Sequence, residues 1–279
     1  MKIYTAFDDQ AMQAFEPEAK VGLLATVNPA GLPHITLITA LQAKSPEQMM
    51  WGQFTEGRSK AHVRSNPKTG FLILTMDRRL WRGKAVWTHA VNEGADYAMF
   101  NSKPMFRYNA YFGIHTVHYM DLVETYGREN LPLGAIVASS LMTTLAKPFL
   151  RTHARERILK PWAQALFGGM ATLKFLAYVG QDGFPVIIPL LQCQAADSRR
   201  LVFATPAYRS ELSAIPDGIP AAVFGLSMQM EDCLVRGTYH ARKGLLGLGS
   251  VDIEWVYNSM PPAPGQIYPA LDLKPVEKF

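Results

Sequence analysis

The sequence predicts a mainly β (α+β) fold, two tandem split antiparallel β-barrels joined by helices. Three observations predict it. Short apolar runs alternate with Gly, Pro, Asn and Asp turn signals, the pattern of many short strands. A single central stretch, 131–167, carries helical spacing instead. The chain also echoes itself. Residues 24–38 read LATVNPAGLPHITLI and residues 176–190 read LAYVGQDGFPVIIPL, with six of fifteen positions identical at an offset of 152. Each copy reads as a hairpin: an apolar run, a turn ending in Gly31 or Gly183, and a strand entered through Pro33 or Pro185.

The echo continues in the same order. Phe54-Thr55 with Arg58-Ser59 resembles Phe203-Ala204-Thr205 with Arg209-Ser210. Trp81-Arg82-Gly83 resembles Val235-Arg236-Gly237, and the alternating run 115–125 resembles 250–259. We therefore expect an internal duplication, with a first barrel at 1–128, a helical linker at 129–170, a second, degenerate barrel at 171–260 and a Pro-rich extended tail at 261–279. In the first barrel, strands are expected near 21–27, 32–41, 48–54, 69–76, 81–90 and 112–124. A short helix is expected near 59–65 and an extra helical insertion near 93–102, and the sheet is expected to close on itself. In the linker, Pro148 lacks a helix donor and disfavours the helical conformation at Lys147, which predicts two helices, the second decorated by Arg151, Arg155, Arg157 and Lys160.

Composition bounds the function. Of 279 residues, 48% are hydrophobic and 18% charged, which excludes a disordered chain or a coiled coil and leaves ample material for a core. The formal charge of +5 suits an anionic small molecule, and on charge alone it suits nucleic acid too. Cys193 and Cys233 form no CxxC pair, so two buried thiols are expected and no zinc or redox site. His115 and His118 would point to opposite faces of a strand, which argues against a metal site and for surface or interface histidines. Trp81 and Trp87 would share a face and pack. Tyr108, Tyr111 and Phe112 crowd the insertion, by packing or by covering a ligand mouth. The opening MKIYTAFDDQAMQAF has no apolar signal core, and 131–145 is interrupted by Ser139, Ser140, Thr143 and Thr144 and falls short of a membrane span, so a soluble cytoplasmic protein is expected.

The segment FTEGRSK, 54–60, carries the chemistry. A strand ends, the chain turns at Gly57, and Arg58, Ser59 and Lys60 open a helix. Free amides, the positive end of the helix dipole, a guanidinium, a hydroxyl and an ammonium then converge as a phosphate cradle. A solvated turn is the plainer alternative.

Together, VGLLATVNPAGLPHITLI, QFTEGRSKAHVRSNP and WRGKA resemble the pyridoxamine 5'-phosphate oxidase-like FMN-binding split-barrel family, over most of 21–90 and more weakly over 173–239. The resemblance implies a split antiparallel barrel and non-covalent FMN. It assigns Arg58, Ser59 and Lys60, with Thr55 before them, to the FMN phosphate, and His34, Ile35, Thr36 and Leu37 to the strand beside the flavin ring. Trp51, Gln53, Arg82 and Lys84 are weaker carry-overs, and the catalytic residues are unassigned. The flavin would carry the hydride chemistry while the protein orients and tunes it. The tail GQIYPALDLKPVEKF shows no counterpart of the family's Arg-containing substrate motif, so a vitamin B6 substrate is not implied.

The second copy reads TPAYRSELSAIP, with Glu211 where Lys60 stands and Pro216 cutting the helix. It is expected to hold phosphate poorly and to serve as a partner wall, in an intramolecular pseudo-dimer or a homodimer. The leading expectation is an FMN-dependent oxidoreductase acting on a small molecule, with NAD(P)H as candidate donor and without nucleic-acid or membrane partners. The alternatives are a non-catalytic flavin or haem binder or sensor and, from the basic run 151–160, a nucleic-acid module.

Overall fold

A computed structural model describes residues 2–17, 19–54, 57–103, 114–152, 156–242, 247–258 and 265–269. Contacts divide the chain into two compact units, Met1–Pro132 with Ala177–Ile187, and Leu133–Leu176 with Ile188–Phe279.

The first sheet contains β1 (Lys20–Val27), β2 (Pro33–Leu37), β3 (Gln42–Ser45), β4 (Gln48–Gln53), β5 (Lys68–Thr75), β6 (Arg79–Val91), β7 (Thr116–Thr125) and β8 (Glu129–Asn130). Its order is β2-β1-β5-β6-β7-β4-β3, with β8 on β6. Helices α1 (Asp9–Phe15), α2 (Arg58–Ser65) and α3 (Ala95–Ser102) accompany it. The second sheet contains β9 (Leu173–Val179), β10 (Pro185–Pro189), β11 (Gln194–Ala195), β12 (Arg200–Ala204), β13 (Pro220–Leu226), β14 (Asp232–Arg242), β15 (Leu248–Asn258) and β16 (Gly265–Tyr268). Its order, β10-β9-β13-β14-β15-β12-β11, repeats the first strand for strand over these seven, and only the eighth differs, β16 pairing β15 where β8 pairs β6. Helices α4 (Leu133–Ala146), α5 (Pro161–Gly168) and α6 (Arg209–Ala214) belong to the second half.

The offset seen in the sequence is written into the backbone. Asn28 N–H donates to Leu32 O at 3.0 Å and Gly31 N–H to Asn28 O at 2.9 Å, while Gly180 N–H donates to Phe184 O at 2.8 Å and Gly183 N–H to Gly180 O at 2.9 Å. Gly31 and Gly183 have φ of 76° and 79°, the left-handed conformation that favours glycine. Further on, Ile38 N–H reaches Gly22 O and Leu190 N–H reaches Lys174 O, both at 2.7 Å. The next turns match as well: Arg78 and Met230, again 152 apart, have φ of 68° and 65°.

The core of the first unit gathers Phe7, Phe15, Leu24, Met49, Trp51, Phe71, Ile73, Trp81, Phe100 and Met120, with Trp87 packed on its edge. Phe15 meets Phe7 and Trp81 edge-on at 5.1 and 5.4 Å. Burying each such ring is worth about 1.5–3 kcal/mol. In the second half Phe175, Phe203, Val223 and Tyr239 are buried. Cys193 and Cys233 are buried free thiols, and burial pushes the Cys193 thiol up to about 12.

Several expectations are corrected. The expected strand 32–41 ends at Leu37, because Ile38 turns back to Gly22 and the chain re-enters the sheet as the unforeseen β3. The strand path runs from β2 to β3 with no pairing between them among the described residues, so the sheet is the split one of the expected fold class and does not close by hydrogen bonds on itself. The linker does divide at Pro148, but its second helix starts at Pro161, so Arg151, Arg157 and Lys160 precede that helix instead of decorating it. A proline at N1 fixes the start there. Leu133–Leu150 forms 18 helical residues with mean hydropathy 1.4, long and apolar enough by length and composition to cross a membrane, where the interruptions in 131–145 lead one to expect a shortfall. Tyr108, Tyr111, Phe112, Arg155 and the tail apart from 265–269 lie outside the described residues.

Candidate functional site

Helix α2 begins where the sequence places it. Gly57 is its extended N-cap, with φ −170°, and no side chain among the described residues caps the helix. Its first turn contains no acid, which suits an anion at the amide end. Ser59, His62 and Val63 are buried, three and four residues apart, and form the face that packs on the sheet. Arg58 is exposed and Lys60 half-exposed. Lys60 folds back over the helix start, with Nζ 3.8 Å from where a Cβ on Gly57 would lie.

Strand β2 locks this helix. Thr36 Oγ1 and Ser59 Oγ are hydrogen-bonded at 2.5 Å. The His34 and His62 rings meet edge-on at 5.1 Å, and Thr26 Oγ1 bonds His62 Nδ1 at 3.0 Å. His34 and Thr36 therefore face α2, while alternation turns Ile35 and Leu37 to the other side of the strand. Thr55 lies outside the described residues.

A second group lies on β4 and β7. Trp51 and His118 are opposite each other in the ladder and stack at 3.8 Å, 3° from parallel. Trp87 Nε1–H donates to His118 Nδ1 at 3.2 Å, so Nδ1 is an acceptor; Nε2–H then donates to Gln53 Oε1 at 2.9 Å. Burial, with the positive charges of Lys60 and Arg64, holds the His118 pKa down to about 3. His118 is thus a fully buried neutral ring, not the surface or interface histidine expected; His115 is exposed. Trp51 Nε1 is buried and has no hydrogen-bond partner among the described residues.

Arg82 and Lys84 form a third, separate group. Arg82, 1% exposed, is gripped by both Glu129 oxygens at 2.9 Å and donates to Ile187 O at 3.0 Å. Lys84 bridges Glu124 and Asp182, each at 2.8 Å. Burial pulls its pKa down, but the two carboxylates outweigh that and raise it. Both cations are matched by carboxylates of the chain itself.

Sequence reasoning missed His62, Thr26 and Arg64, and it gave His118 no place at the site. The helical spacing of Ser59 and His62 was available as a signal. The partner of His118, 65 residues away, was not.

The chain matches no family model and no curated protein. Among solved structures it is similar to an FMN-binding protein of Syntrophomonas wolfei, at 15% identity and TM-score 0.37, over 42% of this chain and 82% of that one. It is also similar to HupZ of Group A Streptococcus, at 15% identity and TM-score 0.36, over 43% and 92%. An F420 reductase aligns at 18% identity and TM-score 0.33, over 42% and 97%. The likeness is one of fold, and each match spans a little under half of this chain.

Proposed function

We propose that the first unit binds flavin mononucleotide by its phosphate at the start of α2, and that the protein is a flavin-dependent oxidoreductase acting on a small molecule. One observation carries the reading: a helix start with no side-chain cap among the described residues, Arg58 beside it and Lys60 folded over it, braced from β2 through Thr36 and Ser59.

The residues suit the group. The helix amides and two cations match a phosphate dianion, with Arg58 able to take two oxygens at once. Ser59 and Thr36 share one hydrogen bond, which leaves one hydroxyl proton to donate. The buried Trp51 indole N–H is a donor in want of an acceptor, a role that a ring oxygen or nitrogen would fill. His118, held neutral, keeps Gln53 oriented and adds no charge of its own. A bound flavin supplies hydride transfer; these residues hold it, exclude water and set its surroundings.

The test is titration of the purified protein with FMN and with riboflavin, followed by flavin fluorescence. FMN is expected to bind in the micromolar range and riboflavin at least about tenfold more weakly, since only FMN offers the dianion. Absence of FMN binding ends the reading. Anaerobic mixing of the loaded protein with NADH or NADPH then tests reduction, seen as bleaching. Bleaching by neither donor would reduce the reading to flavin binding.

A further inference from the structure

Helix α4 is built inside out. None of its fourteen residues is charged, and the side turned to the protein carries hydroxyls. Ser139 and Thr143 are fully buried; Ser139 Oγ accepts from Ala207 N–H at 3.2 Å and Thr143 Oγ1 from Ala204 N–H at 2.9 Å. Gln194 Nε2 donates to Thr144 Oγ1 at 2.7 Å. The outer side carries Val137, Leu141 and Leu145, 68%, 62% and 66% exposed, extended by Leu133 at 42% and by Phe149 at 88% in the turn that follows. These five recur every fourth residue. A surface helix ordinarily does the opposite, and a contiguous row of this kind, unlike scattered apolar residues, marks a contact surface. Beside the row lies an apolar hollow of about 330 Å³, lined by Met142, Leu145, Ala146, Phe149, Leu150 and Leu248.

Charge identifies the occupant. Between Leu133 and Lys160 the sequence holds Lys147, Arg151, Arg155, Arg157 and Lys160, against Glu156 as the one acid. Arg151, Arg157 and Lys160 are exposed, and Glu156 is paired with Arg199 at 3.1 Å. We propose that this face seats on an anionic lipid bilayer, with α4 lying in the interface, its apolar row among the acyl chains and the neighbouring cations at the headgroups. The bonds from Ser139 and Thr143 to the backbone at Ala207 and Ala204 hold α4 on its own unit, so it lies along the membrane instead of crossing it. The hydroxyls of Ser140, Thr143 and Thr144 donate to carbonyls one turn back, which leaves little polar surface to resist lipid. A second copy of the chain fits less well. A face of four helical turns falls short of the roughly 800 Å² each partner gives to a stable dimer, and self-association leaves the cations without counter-charge. This inference is independent of flavin binding.

The test is flotation of the full chain with vesicles of phosphatidylcholine alone and of phosphatidylcholine with phosphatidylglycerol. Expected is flotation with the anionic vesicles only, weakened by salt. Leu141→Gln with Leu145→Gln should abolish it without shifting the thermal midpoint, because both side chains already face solvent. If that pair proves unstable, Val137→Gln should weaken flotation by itself. Replacing Arg151, Arg157 and Lys160 by Gln should cost about fivefold in partitioning per cation. Absence of flotation overturns the proposal, as does equal flotation on both vesicle types. So does a dimer in sedimentation that the Leu141→Gln, Leu145→Gln variant dissociates, which would give the face to a second copy.

Discussion

The crossing from β4 to α2 and the crossing from β12 to α6 occupy the same place in two sheets of the same strand order, yet they are finished differently. At α2 the entry is Gly57, with no side-chain cap among the described residues and Lys60 over it. At α6 a tight turn, Pro206–Tyr208, comes first; the helix has six residues, and Glu211 stands in its first turn. The backbone around that turn is already satisfied from within. Thr143 takes Ala204 N–H, Ser139 takes Ala207 N–H, Gln192 Nε2 donates to Ala204 O at 3.0 Å, and Thr205 N–H bonds Gly247 O at 2.8 Å. Helix α4 does at the second crossing what we propose a phosphate does at the first. If the proposed site at α2 is real, its counterpart at α6 keeps the strand order and closes the same crossing with partners from another element of the chain.

Four measurements sharpen or break this contrast. Lys60→Glu, which imitates the second copy, should weaken FMN binding by about a hundredfold or more, since it turns an attraction to the phosphate into a repulsion. Riboflavin binding should change little; equal losses for both ligands would mean that Lys60 serves the ring or the fold. Next in size, Thr143→Val should destabilise by about 1–3 kcal/mol, because it strands the buried Ala204 amide. Denaturant unfolding reads this, and FMN affinity should be unaffected.

The third measurement is a pH titration. The folded His118 pKa, about 3, lies below the ordinary imidazole value of 6.5. The unfolded chain therefore takes up the proton first as the medium is acidified. The stability gained by keeping the ring neutral is fully present above pH 6.5 and is lost as pH falls toward 3. Lys60→Glu removes one of the cations that oppose protonation, so the His118 pKa should rise, visible in the imidazole ¹⁵N shifts. An unchanged His118 titration would place Lys60 out of its reach. The smallest effect is expected from Glu211→Lys, which restores the cation but not the open amides: a second FMN site should not appear in the binding stoichiometry. Arg209→Ala should be similarly silent.

Most of the fold was legible because its signals are local. A Gly that needs positive φ, a Pro at a strand start and an apolar run between them mark the same hairpin twice, and the backbone honours the spacing bond for bond. The turn that opens α2 was legible for the same reason, as Gly57 to Lys60 are contiguous. What stayed hidden depends on distant partners. Nothing near Arg82 reveals that Glu129 will neutralise it, so it read as a ligand contact. His118 read as a surface or interface residue because Trp87 and Gln53 are far off in the chain. The polar interior face of α4 was invisible because Ser139 and Thr143 look like interruptions until β12 is placed beneath them.

The two hairpins, 22–41 and 174–193, close corresponding amide–carbonyl pairs at both ends of the strand return. They are interchangeable parts: either could be transplanted into the other's position with its main-chain joints already cut to size. Such a swap would exchange side chains on matched main-chain joints, with Val186 and Ile188 standing where His34 and Thr36 face α2.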